Sequence, residues 1–177
     1  MRPPRSAGPA GFALVELLVA AAVAGVVLAA AYGWLWDVAA LAARQDARAQ
    51  ATTIAAGCAR AVAADVRGCV ALAAPPAGRS PDRTLALVRH RPDAAPEDVL
   101  IVWDEARGVV WRNASGTYLA DHVAAFAPAY ILADGRLVPG AAMAAGDWGA
   151  VRGVRVELCT AVGSAVVRRV VLVGVGP

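Results

Sequence analysis

The chemistry-bearing residues of this 177-residue chain are few, and one of them stands where a charge is costly. Glu16 is the single charged residue in the run Phe12 to Trp36, whose 25 residues otherwise comprise 22 apolar ones and two glycines. A carboxylate in hydrocarbon costs about 2.5–3.5 kcal/mol at mid-membrane and less toward an end, so such a group marks a functional position by default. No arginine or histidine lies within the run to act as its partner. The remaining reactive side chains do not assemble into a site by spacing. His90 and His122 are 32 residues apart, and neither stands in a zinc-ligand spacing with Cys58, Cys69 or Cys159. Ser115 and Ser164 lie outside any Gly-x-Ser-x-Gly turn, and no glycine-rich phosphate loop occurs. Asp104, Glu105 and Asp134 read as turn residues rather than calcium ligands. Trp103 and Trp111, flanking one hairpin, read as packed or stacked across strands rather than as a binding face. The expectation is a chain with no metal, no cofactor and no catalytic residue, and therefore not an enzyme.

These residues must be positioned by a small set of elements. As a helix, Phe12 to Trp36 reaches roughly 37 Å, enough to cross a hydrocarbon core of about 30 Å with some tilt. Arg2 and Arg5 precede it without an acidic residue, which favours a cytoplasmic N-terminus. Three readings fit the run taken alone. It is a plain signal anchor, or a secretory signal cut near Ala29-Ala30-Ala31, or a functional segment built around Glu16. No proline occurs between Phe12 and Ala74, alanine saturates Val38 to Ala64, and Ile54, Cys58 and Val62 recur at four-residue spacing. One continuous helix is predicted from about Phe12 to Arg67, apolar first and amphipathic after Trp36, ended by Gly68 and then Pro75-Pro76.

Residues 75 to 83 read as a linker, after which the pattern changes to strands. Thr84 to Arg89, Val99 to Trp103 and Val109 to Arg112 are predicted strands, the last two joined by a hairpin at residues 104 to 108. Val123 to Leu132, interrupted by Pro128, pairs with Arg136 to Val138 across an Asp134-Gly135 turn. Residues 140 to 150 read as a loop, Val154 to Leu158 alternates as a half-buried strand, and Val166 to Val173 closes the sheet. The fold class is α+β, one long helix packed on a C-terminal antiparallel sheet domain. Eleven residues of helix separate Cys58 from Cys69 by about 16 Å, too far for a disulfide. If Gly68 breaks the helix, Cys69 can meet Cys159 on a strand. That is the candidate bridge, with Cys58 left as a small buried hydrophobe.

The segment Gly11-Phe12-Ala13-Leu14-Val15-Glu16-Leu17-Leu18-Val19-Ala20, behind a short basic leader, resembles the cleavage and methylation site of type IV prepilins and type II secretion pseudopilins. The resemblance implies that a membrane aspartyl prepilin peptidase cuts after Gly11 on the cytoplasmic side and methylates the new amine of Phe12. Glu16 then becomes the fifth residue of the mature chain, where that family keeps a glutamate for subunit register and assembly. It further implies a pilin-like fold and a leader of residues 1–11. A transmembrane and filament-core helix of 12–36, an amphipathic continuation of 37–67 and a β-rich domain of 75–177 follow. The implied location is the bacterial inner membrane with the C-terminal domain periplasmic, and then a pilus or pseudopilus. The implied partners are the peptidase, other pilins met through the N-terminal helix, and an inner-membrane assembly platform. The proline that major pilins often carry in this helix is missing, and Ala13 replaces the common threonine. Ala64-Asp65-Val66-Arg67 is similar to an Asp-Leu-Arg element of minor pilins and pseudopilins. Trp148 with Val151 to Val156 resembles W-type minor pilins, and Arg168-Arg169 with the Asp134-Gly135 hairpin resembles J-type pseudopilins. The alternative is an exported binding domain, soluble or anchored, behind a secretory signal.

Composition agrees with a single membrane segment rather than many. Alanine accounts for 45 residues, so the 59% hydrophobic content is largely alanine plus one concentrated run. All 17 basic residues are arginine, and the net charge of +3 is too small to point to nucleic acid. Arg2 and Arg5 supply two of those charges, so the side chains from Phe12 onward sum to +1. The apolar content and the three cysteines exclude a disordered chain and a disulfide scaffold.

Overall fold

The computed structural model describes residues 10–91, 94–113 and 116–175. Its first element is the 58-residue helix α1 (Ala10–Arg67), and the chain divides into two compact units, Met1–Arg44 and Gln45–Pro177. Alanine, with the highest helix propensity, and the absence of proline account for an unbroken helix of this length. Its end is specified locally. The Gly68 amide still donates to the Ala64 carbonyl at 3.1 Å, while Arg67 Nε donates to the Ala63 carbonyl at 3.1 Å. Arg67 thereby fills a last-turn acceptor and complements the negative end of the helix.

In the second unit, α1 buries a stripe formed by Ala51, Ala55, Cys58, Val62 and Val66. Spacings of three and four place these residues on one face. Small side chains let the helix approach closely, and Ile54 packs only partly against the same core. Gly68 turns the chain directly into strand β1 (Cys69–Ala73), where the sequence suggested only the end of a helix before a linker. The first sheet is a meander of β1, β2 (Thr84–Arg91), β3 (Ala94–Asp104), β4 (Val109–Arg112) and β5 (Thr117–Ala120), in that order. The second contains β6 (Val123–Leu132), β7 (Leu137–Pro139), β8 (Val151–Val162) and β9 (Ala165–Gly174), in the order β7-β6-β8-β9. All pairings are antiparallel. The expectation of one sheet is therefore corrected to two, and β1 and β5 are additions. Residues 140–150 form a loop containing the short 3-10 turns Gly140–Ala142 and Trp148–Ala150.

Pro128 does not interrupt β6. It pairs opposite Val156 of β8, while β7 pairs only with Ala129 to Ile131 on the other side. Among the described residues the edge at Pro128 is thus unpaired, where a missing N–H costs no ladder bond.

Leu85, Leu87, Ile101 and Val110 of the first sheet and Phe126, Tyr130, Val154 and Leu158 of the second belong to one buried core. Truncating a buried aromatic such as Phe126 to alanine costs about 3–5 kcal/mol. Three polar links fix the layers. Tyr130 Oη donates to the Thr84 carbonyl at 3.2 Å, and its ring meets Trp148 edge-on with centroids 4.8 Å apart. Thr160 Oγ1 donates to the Ala51 carbonyl of α1 at 2.9 Å. Arg112 of β4 pairs with Asp65 of α1 at 2.7 Å.

Candidate functional site

The N-terminal unit is built on the first part of α1. The Gly11–Phe12 bond lies within the described part of α1. Gly11 and Phe12 are helical, and their side chains lie outside the described residues, as does the basic leader. Glu16 is exposed on the helix, and no ion pair reaches it among the described residues. It begins a stripe with Ala20, Ala24 and Leu28 at four-residue spacing, flanked by Val15, Val19, Val23 and Val27. The stripe pairs small residues with β-branched ones, a surface suited to close helix approach.

Every residue from Leu14 to Ala39 is exposed, and the helix reaches a mean hydropathy of 2.5, long and apolar enough to cross a membrane. Such a surface on a soluble chain would exceed by far the apolar patch of an ordinary monomer. Tyr32, Trp34 and Trp36 close the apolar segment at 72%, 67% and 79% exposure. Sequence reasoning treated them only as apolar residues. Their clustering at one end was the available signal, since amphipathic aromatic rings concentrate at membrane–water interfaces. Trp34 stands roughly 33 Å of helix beyond Phe12, close to the hydrocarbon thickness of about 30 Å.

In the second unit, the cysteines do not form the candidate bridge. Cys58, Cys69 and Cys159 are free thiols. Gly68 does end the helix, but β1 turns Cys69 back so that its S–H donates to the Val66 carbonyl at 3.0 Å. Cys159 alternates with the buried Leu158 and Thr160 and so faces the other side of β8. Cys58 is the small buried hydrophobe expected of it, its thiol pushed up to about 11 by burial.

The other polar candidates are occupied by local structure. Asp104 accepts from the Arg107 amide at 3.2 Å, Glu105 pairs with Arg83 at 2.7 Å, and Asp134 holds Arg136 at 2.5 Å. The Asp104 and Asp134 contacts stay within their turns, Glu105–Arg83 ties the β3–β4 turn to the segment before β2, and no cluster of three or more metal-ligating side chains occurs among the described residues. Trp103 Nε1 donates to the Val123 carbonyl at 3.2 Å, and Trp111 meets Tyr118 of β5 edge-on at 5.7 Å. Ser115 lies outside the described residues. The residue pair that sequence reasoning missed is Asp65–Arg112. Asp65 is 7% exposed between the buried Val62 and Val66, and burial raises its carboxyl pKa against the opposing pull of Arg112 and Arg89. A charged residue inside an otherwise buried helix stripe was the signal for it.

Residues 8–32 match the family described as the prokaryotic N-terminal methylation motif. No curated protein and no solved structure matches the chain. The matched residues span Gly11, Phe12 and Glu16, and they support a type IV pilin-like chain whose motif implies processing by prepilin peptidase. Together with the apolar helix, they suggest membrane anchoring.

Proposed function

We propose that this chain is a minor pilin or pseudopilin, a structural subunit that prepilin peptidase cuts after Gly11 and that then joins a type IV pilus or type II secretion pseudopilus. The observation that carries this reading is the register of Gly11, Phe12 and Glu16 at the head of an exposed apolar helix. In this reading the helix crosses the inner membrane once, with the N-terminus cytoplasmic and the β-rich domain periplasmic. The assembly platform then extracts it into the filament.

Cleavage supplies the cation that the apolar run lacks. An α-amine has a reference pKa of about 7.7–8.0, so the new terminus at Phe12 is mostly protonated near neutrality. N-methylation preserves that charge. The amine pairs with Glu16 of its own helix or of a neighbour, in surroundings where an unpaired charge is strongly disfavoured. One buried charge pair then sets the axial register between packed helices, much as a single polar residue does in coiled coils. The Val/Ala stripe that begins at Glu16 supplies the close-packed face. Within the family we favour the W-type minor pilins or J-type pseudopilins, on the strength of Trp148, the Val151 to Val156 strand and Arg168-Arg169. The role is structural rather than catalytic.

Mass spectrometry of the mature N-terminus tests the reading. The expected species begins at Phe12 and carries one N-methyl group. An intact leader, or a chain that starts at Tyr32, would overturn it, the latter in favour of an exported domain behind a secretory signal.

A further inference from the structure

The second sheet has one long open edge. β9 runs for ten residues and pairs with β8 on one side, and no strand pairs with its other side among the described residues. Such an edge presents a row of backbone donors and acceptors that another chain can complete. Beside it lies an open groove of about 860 Å³, lined by β9 residues from Arg169 to Gly174 and by α1. Ala56, Ala59 and Ala63 are the small α1 residues that leave it room.

The charge of this groove is one-sided. Arg60, Arg67 and Arg169 line it, no carboxylate does, and none of the three forms an ion pair among the described residues. The adjacent Arg168 shows the contrast, since Glu157 of β8 neutralises it. Three guanidinium groups with no carboxylate partner among the described residues, beside a free strand edge, are complementary to an extended chain bearing carboxylates. A second copy pairing β9 with β9 would instead bring arginine edges together.

We propose that the free edge of β9 docks an extended, acidic segment of another polypeptide, which adds to the second sheet as a fifth strand with its carboxylates toward Arg60, Arg67 and Arg169. The interaction is independent of how the N-terminal segment is processed.

The test uses the full chain in detergent micelles and two fluorescent ten-residue peptides, one alternating valine with glutamate and one alternating valine with lysine. Anisotropy should show the glutamate peptide binding at least tenfold more tightly at 150 mM salt. Amide hydrogen exchange should slow in β9 when it is bound. The double variant Arg60→Glu/Arg169→Glu should lose at least tenfold in affinity for the glutamate peptide while keeping the urea midpoint of the parent chain. Equal affinity for the two peptides, protection elsewhere than β9, or no binding of either peptide at millimolar concentration would overturn the proposal. Self-association through β9 without peptide would also overturn it, by assigning the edge to a second copy.

Discussion

Removing the guanidinium of Arg112 should destabilise the second unit in a way that depends on pH. Asp65 is 7% exposed, and Arg112 pairs with it at 2.7 Å from β4. Deleting one member of a buried pair costs about 3–5 kcal/mol because it strands the other charge. Arg89 still attracts Asp65, so Arg112→Met belongs at the low end, about 3 kcal/mol at pH 7. The sign of the pH effect follows from the direction of the Asp65 shift. Burial already raises its pKa above the ordinary value of 3.8, and losing Arg112, the larger of the two lowering influences, raises it further. A carboxyl whose pKa is higher in the folded state contributes most below its unfolded pKa and loses that contribution as pH rises through the folded one. The variant should therefore regain stability as pH falls from 7 toward 4, with a slope of at most about 1.4 kcal/mol per pH unit. Urea unfolding of the full chain in micelles, followed by tryptophan fluorescence, measures both quantities. The double variant Asp65→Leu/Arg112→Met should return to within about 1 kcal/mol of the parent, since an apolar replacement leaves no stranded charge. A single variant within about 0.5 kcal/mol of the parent at every pH would refute the reasoning.

Three further outcomes are expected. Glu16→Ala should leave cleavage after Gly11 intact but sharply reduce incorporation into filaments, read by mass spectrometry and by sedimentation of sheared filaments; normal incorporation would exclude the amine–carboxylate pairing. A Cβ at Gly140 would overlap the Pro81 carbonyl, so Gly140→Ala should cost about 1–3 kcal/mol in the same urea assay. A maleimide pulse at pH 7 on the folded chain should label the half-buried Cys159 well before Cys58, whose thiol is buried and pushed up to about 11. Unfolding should open all three cysteines, whereas a thiol count of one in the unfolded chain would show a disulfide.

What the sequence made legible follows the strength of local signals. Val109 to Arg112 and Val123 to Leu132 are strands with the bounds expected, because turn residues and β-rich runs delimit them. Cys69–Ala73 escaped notice because its one β-branched residue, Val70, sits among alanines beside a helix end. Thr117–Ala120 has no β-branched residue after Thr117, unlike the Val-Val start of Val109–Arg112. Alternation reports which side chains face inward but not which strands pair, so two sheets read as one. Glu16 was conspicuous as a lone charge in an apolar run. The partner of Asp65 was not, since Arg112 lies on a strand distant in sequence and residue spacing does not report which strand packs against α1.

Pro128 and the three-residue length of β7 make the two borders of the second sheet unlike. On one side the ladder stops at a short strand ending in Pro139, with Pro128 offering no donor beyond it. On the other side β9 is continuous over ten residues. A strand docked on β9 as proposed would extend the sheet on that side, and the added chain, not this one, would own the new border. An assembly made through β9 alone would then have a head and a tail.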